Sequence, residues 1–321
     1  MKKKVLMYLG IFTLIYAFNF FIFRLMPGDP LDFASSDMDS NSIEMSGGSN
    51  YKYLQEYYGL DKKVHIQFLD TIKANIKGDF GQSIFYRQSV KTLIQEKLPW
   101  TLYMVFSSSI ISLTLGILLA FIGLKYKTID NVLYTLLNLI SEVPSFLIGV
   151  LLLFTLAVNI DFFPLAGGFT PFKEHVNIIS YLLDILRYSI LPIMCLVIIN
   201  VGDFYLTARA SFIEIINKDY ILTAKAKGLK ELRILLYYIL KNSFPPILNK
   251  FFISIGFTLS GALLVENIFA YPGIGKLLKD AVLQRDYILI QGIFLVSTTF
   301  VLISNMVADF INQKNIDKEG C

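Results

Sequence analysis

The stretch DYILTAKAKGLKELR, residues 219–233, decides how this chain is to be read, because it concentrates charge in the middle of a very apolar polypeptide. Of the 321 residues, 55% are hydrophobic and 17% charged, where water-soluble domains carry about 25% charged residues. On either side lie apolar segments that approach or exceed the roughly 20 residues needed to cross the hydrocarbon layer. These are Val5–Met26, Thr101–Leu124, Asn131–Val158, Ser189–Leu206, Ile247–Phe269 and Ile288–Ile311. The expectation is an all-α, polytopic membrane protein with six transmembrane helices. The first segment follows Lys2, Lys3 and Lys4 but lacks a small-residue cleavage site, so it reads as an uncleaved span.

Lysine and arginine placement sets the orientation. With the N-terminus inside, the inner segments hold Lys2, Lys3, Lys4, Lys125, Lys127, Lys314 and Lys318, and residues 208–246 add a run from Arg209 to Lys241. The two short outer loops are poorer in basic residues. Both termini and residues 208–246 are therefore expected in the cytoplasm of a cell that carries the chain in its plasma or inner membrane. The long segment 27–100 lies outside. Pro27, Gly28 and Pro30 stop the first span, and SSDMDSNSIEMSGGSN (35–50) reads as a polar loop. Beyond it, Phe68, Leu69, Ile72 and Ile76 share one helical stripe with Gly78 as its stop. That pattern predicts a short amphipathic helix on the outer membrane face or on a partner.

Within the opening stretch, Asp219 is placed to cap a helix, and Lys225 and Lys227 fall in its last turn, where the dipole favours them. Gly228 is placed to take the left-handed conformation that ends a helix. A second helix follows with Leu229, Leu232, Leu236 and Ile239 on one face, ended by Pro245 and Pro246. Two short helices meeting at a glycine are expected, either as a contact element or as an ordinary basic loop.

Here the chain resembles a known family. DYILTAKAKGLKELRILLYYILKNSFPPIL (219–248) is similar to the cytoplasmic signature loop of ABC-importer permeases of the dipeptide, oligopeptide and nickel type. It carries Tyr220, Ala224, Ala226 and Gly228 in the family order, with Pro246 18 residues beyond the glycine. LMPGDP (25–30), YGLDKKVHIQFL (58–69), GDFGQSIFYRQSV (78–90), KLPWTL (97–102), VPSFLIG (143–149) and GALLVENIFAYPGIGKLLKDAVLQRDYILIQG (261–292) extend the resemblance over nearly the whole chain. The long segment after span one is similar to that of the first permease of the pair. Departures are Phe244-Pro245-Pro246, where relatives often have Leu-Pro, and Glu142 before Val143-Pro144.

The resemblance implies a type I ABC-importer transmembrane domain. Its parts are residues 1–26 (N-terminus and first span), 27–100 (extracytoplasmic), 101–311 (the remaining spans, with coupling loop 208–246) and 312–321 (cytoplasmic tail). It further implies a second homologous permease, one or two ATPase subunits that bind ATP and Mg, an external substrate-binding protein, and peptides as cargo. Nickel or a metal–chelator complex is the alternative cargo. Asp219, Tyr220, Thr223, Ala224, Lys225, Ala226, Lys227 and Gly228 are the expected ATPase contact, with Leu229 and Leu232 behind them.

Glu142, Asp203 and Glu266 are ionisable residues inside spans, where a charge is costly and faces protein or water. They are candidates for the translocation path, with interhelical bonding or interfacial solvation as the competing reading. No catalytic constellation is expected. YPGIGKLL (271–278) has Leu277 where a phosphate-binding loop needs a hydroxyl. GDFG (78–81) lacks the partner motifs of a kinase. His65 and His175 have no neighbouring ligand set, and Cys195 and Cys321 offer neither disulfide nor metal spacing. No basic face for nucleic acid is evident. A stand-alone secondary transporter is disfavoured by the absence of inverted halves.

Overall fold

The computed structural model describes residues 2–24, 62–173 and 177–319. The proline stop at 27–30, the loop at 35–50, His175 and Cys321 lie outside them. In order the chain forms α1 (Lys2–Arg24), α2 (Val64–Ile76), α3 (Val90–Lys125), α4 (Lys127–Ser141), α5 (Ser145–Ala157) and α6 (Ile178–Ile216). Then come α7 (Asp219–Ala226), α8 (Glu231–Ile268), α9 (Ile274–Leu283) and α10 (Tyr287–Glu319). Among the described residues there is no strand, only one bridge between Gln82 and Ser89. Helices α1, α3, α6, α8 and α10 are each long and apolar enough to cross a membrane. The helices overrun the apolar segments that announce them. At 39 residues, α6 is about 58 Å long for a rise of 1.5 Å per residue, well beyond the roughly 30 Å of hydrocarbon.

Two expectations are corrected. Asn131–Val158 is not one continuous helix but a bent pair, α4 and α5, meeting at 98°; counted as one broken span it is the sixth. Pro144 has no donor to continue α4 and biases Val143 away from helix. The chain leaves α4 at Glu142 and restarts with Pro144 at the N-cap of α5. Conversely, Pro245 and Pro246 do not end a helix; both lie inside α8. The preceding residues Ile234–Leu240 are π-helical, and such local widening is one way a membrane helix carries proline. It also resets the packing face. Ile234 and Ile239, five apart, are buried, whereas Leu232 and Leu236 are exposed.

The residues form two compact units, Trp100–Gly275 with Phe300–Cys321, and Lys2–Pro99 with Lys276–Thr299. In the first, α6 is central. Its Leu191, Cys195, Leu196, Phe204, Tyr205 and Phe212 are buried. Helix α3 runs parallel to it, with Gly116 against Phe204 and Tyr205 and Phe121 stacked on Phe212. Gly202 of α6 lies so close to Leu137 and Ser141 of α4 that a Cβ would overlap them. Small residues at crossings let membrane helices gain contact where lipid supplies no hydrophobic drive.

In the second unit α2 forms as expected and ends at Gly78, with φ of +77°. Its packed face is rotated from the expected stripe. Phe68 sits among Tyr16, Phe20 and Phe21 of α1, and Asn75 donates to the Tyr16 hydroxyl at 2.8 Å, while Leu69 and Ile76 are exposed. Polar Asn75, not apolar Ile76, turns inward because it finds an acceptor there. Elsewhere in this unit buried Asp286 accepts from Ser83 Oγ and the Phe85 and Leu289 amides. Burial and the neighbouring Asp280 raise the Tyr86 hydroxyl above the usual tyrosine range.

Glu266, fully buried in the first unit, fastens the turn after α8. Its Oε1 accepts from Thr101 Oγ1 at 2.6 Å and its Oε2 from the Gly275 amide at 2.5 Å, while Thr101 Oγ1 accepts the Ile274 amide at 2.9 Å. The carboxylate thus answers the first turn of α9, where negative charge is favoured. Gly273 is required beside it, since a Cβ there would overlap the carboxylate. Removing the acceptors of buried donors costs about 1–3 kcal/mol. Glu266→Ala and Gly273→Ala should therefore lower the thermal midpoint of the purified protein in detergent, and Glu266→Gln, which keeps one acceptor oxygen, should lower it least. Equal midpoints for all three variants and the parent chain would contradict this role.

Candidate functional site

Helix α7 is eight residues long and would be marginal alone. Tertiary packing holds it. Ile221 and Ala224, one turn apart, are 0% and 3% exposed and join a cluster with Phe212 and Ile215 of α6 and Ile234, Ile239 and Ile247 of α8. The helix begins at Asp219, whose side chain makes no capping bond but places negative charge in the first turn; Lys225 lies in the last turn and Lys227 at the C-cap. The Leu229 amide donates to the Ala224 carbonyl and the Gly228 amide to the Lys225 carbonyl, with Gly228 at φ +71°. That is the paired-bond C-terminal cap which glycine favours, as its position in the sequence suggests.

The side chains sort by face. Asp219, Tyr220, Thr223, Lys225, Ala226, Lys227 and Gly228 are exposed. Ala224 is not; it serves the anchoring cluster and offers no surface to a partner. Leu229 packs against the same cluster. Leu232, expected behind the contact, is 67% exposed. Leu222 and Tyr237, which the sequence reading passed over, are 62% and 67% exposed. Leu222 follows Ile221 in a short apolar pair whose division between faces only the register of α7 decides. Leu222 on α7 and Leu232 and Tyr237 on α8 are thus apolar side chains left open in a lysine-rich stretch, chemistry suited to contact with another protein.

Beneath this helix is a polar fastening absent from the expected site. Arg209 of α6 donates from Nε and Nη2 to the two carboxylate oxygens of Asp130 at 2.8 and 2.7 Å, and the buried Tyr205 hydroxyl donates to Asp130 Oδ1 at 2.6 Å. The Arg209 guanidinium also lies 5.2 Å over the Tyr134 ring. A Cβ on Gly123 of α3 would crowd Asp130. These bonds tie the first turn of α4 to α6. In the sequence Arg209 reads only as an orientation charge, and Asp130 falls just outside the apolar segments.

The other candidates are scattered. Glu142 is exposed at the break between α4 and α5. Asp203 of α6 pairs with Lys250 of α8 at 2.7 Å. Glu266 is committed to the α9 turn. Cys195 is buried, with Sγ 3.2 Å from the Ser145 carbonyl. Among the described residues no group of His, Cys, Asp and Glu is arranged to hold a metal.

A family model described as the binding-protein-dependent transport system inner membrane component matches residues 112–318. An oligopeptide transport system permease protein of Bacillus subtilis is 31% identical over 312 residues, covering 96% of this chain and 95% of that protein. A di/tripeptide transport system permease protein of Pseudomonas aeruginosa is 30% identical, covering 91% and 90%. A glutathione transport system permease protein of Salmonella choleraesuis is 29% identical, covering 96% and 94%. Among solved structures, one of inward-facing conformations of the MetNI methionine ABC transporter aligns with a TM-score of 0.54 at 14% identity, covering 69% of this chain and 95% of that one. At that identity the likeness is one of fold.

Space around Gly228 is open, so a side chain there meets no neighbour; only the backbone resists, by about 1–2 kcal/mol for an ordinary residue held left-handed. Gly228→Val should leave the protein folded but speed hydrogen exchange at the Gly228 and Leu229 amides, and Gly228→Asn, which tolerates this conformation, should do so far less. Unchanged exchange in the valine variant would contradict the cap.

Proposed function

This chain belongs to the family of binding-protein-dependent transport system inner membrane components; it is a multi-pass permease subunit of an ABC importer, and from that premise we propose that it conducts peptides and is driven through α7. Peptide cargo is the reading supported by the oligopeptide and di/tripeptide permeases to which the chain is similar over nearly its whole length. In this reading the chain pairs with a second permease. ATP is hydrolysed by separate subunits, and an external binding protein delivers the cargo. Residues 208–246 and both termini face the cytoplasm.

The observation that carries the reading is the two-sided character of α7. One side is buried by Ile221 and Ala224 in a cluster shared with α6 and α8; the other leaves Leu222 and Lys225 exposed. A partner that grips the exposed side moves α6 and α8 as one body. Rigid-body motion of packed helices is how a small displacement at one site reaches another. Asp219, Tyr220, Thr223, Lys225, Ala226, Lys227 and Gly228 supply the contact, joined by Leu222 and Leu232. Ala224 and Leu229 hold it from behind. Glu142 and Asp203 are assigned to the path. Glu266, sealed among its donors, would act there only as a gate fastening.

Affinity purification of the tagged chain from its native membrane should recover a second permease and at least one ATPase subunit, and the complex in liposomes should take up peptide only with ATP. Gly228→Val should lower uptake per ATP hydrolysed while assembly persists. A chain that purifies alone, or a complex that moves no peptide, would overturn the reading.

A further inference from the structure

Asp203 and Lys250 stand apart from the other polar groups of the spans. Asp203 is the one charged residue of Ser189–Leu206, and Lys250 shares Ile247–Phe269 only with the sealed Glu266. They pair across α6 and α8 at 2.7 Å, yet their side chains remain 46% and 29% exposed. A half-open ion pair on apolar helices cannot face hydrocarbon at small cost. The face that bears it must meet water or polar protein.

The rest of that face agrees. On α8, Lys250, Ile253, Phe257, Ser260 and Leu264 recur at intervals of three and four, so they share one stripe. Phe257 is 75% exposed and Leu264 52%, although Ile255, Leu259 and Ala262 on the other side are buried. On α6, Asn200 lies one turn from Asp203 and donates to Thr258 Oγ1 at 3.1 Å, a polar rung on the same helix pair. Contrast with Arg209 and Asp130 assigns the roles. That pair is bidentate, with the Asp130 side chain 12% exposed and further bonded by Tyr205; it is a fixture. The Asp203–Lys250 pair is a single, solvent-open contact, and such pairs contribute little to stability.

We propose that the α6–α8 face bearing Asp203 and Lys250 lines the translocation path, and that this pair is a transit station for the charged ends of zwitterionic cargo. The inference rests on the peptide-importer reading above. A passing carboxylate takes Lys250 and a passing ammonium takes Asp203, so one ion pair becomes two without change of net charge. The exposed Phe257 and Leu264, with half-buried Ile253 on the same stripe, accommodate the side chains between those ends. Cargo with one end blocked gains only half of the exchange.

The test uses the assembled complex in liposomes with Cys321→Ser as background. Lys250→Cys and Asp203→Cys should react with small charged thiol reagents, and transported peptide should slow the reaction; failure of both positions to react would overturn the proposal, whatever the variants do to transport. Uptake of a tripeptide with free ends is then compared with that of its C-terminal amide, each as a ratio to the parent complex. Lys250→Met should depress kcat/KM for the free acid by roughly tenfold, the factor for one lost charge-assisted hydrogen bond, and leave the amide within about twofold of parent on the same scale. Lys250→Arg should restore the free acid. Equal depression of both cargoes would mean a structural ion pair and sink the inference. If the parent complex moves neither peptide, the failure lies with the underlying reading and not with this pair.

Discussion

A charged or hydrogen-bonding group withdrawn from water has to be answered from within the chain, and that constraint shapes most of this structure. Glu266 is answered by Thr101 and the Gly275 amide at the turn between α8 and α9. Asp130 is answered by Arg209 and Tyr205 where α4 begins. These fastenings sit apart along the α3–α6 pair, Thr101 a third of the way along α3 and Asp130 just past its end. Between them the crossings at Gly116 and Gly202 bring helices together by the absence of side chains. Apolar side chains alone would not select one arrangement in a lipid solvent, because tails are as apolar as leucine. Polar fastenings and small-residue crossings do.

Rigidity obtained in this way gives α7 its meaning. An eight-residue helix on a loose loop would absorb a push. Here Ile221 and Ala224 enter the same cluster as Phe212 of α6 and Ile247 of α8, and Arg209 holds α6 to α4 close by. On the proposed reading, force arriving at Leu222 or Lys227 passes to three helices together. The π-helical residues Ile234–Leu240 are part of that joint, since their wider turn brings Ile234 and Ile239 onto one buried face.

Much of this was legible in the residues. Long apolar runs announced the five helices long and apolar enough to cross a membrane; Gly78 announced a helix stop and Gly228 a left-handed helix end, and both are found left-handed, at φ +77° and +71°. Local chemistry sufficed there because a glycine cap depends on few neighbours. The failures have physical reasons too. Asn131–Val158 reads as one unbroken helix because hydropathy is blind to direction; the break within it depends on how Val143 and Pro144 are held. Pro245 and Pro246 read as a stop because proline usually is one, and only the π-helical turn before them lets α8 continue. Asp130, Lys250 and Leu222 were missed at the site. The partners of Asp130 and Lys250 lie 79 and 47 residues away, and the exposure of Leu222 depends on the register of a short helix; no spacing rule reaches that far.

The most direct measurement is site-directed cross-linking from α7 in native membranes, in chains carrying a single introduced cysteine and Cys321→Ser. Leu222→Cys and Lys227→Cys, on the exposed side, should form nucleotide-sensitive adducts with an ATP-hydrolysing subunit, and Ile221→Cys, one residue away but fully buried, should form none. Adducts from Ile221→Cys equal to those from Leu222→Cys, or none from either exposed position, would contradict the account.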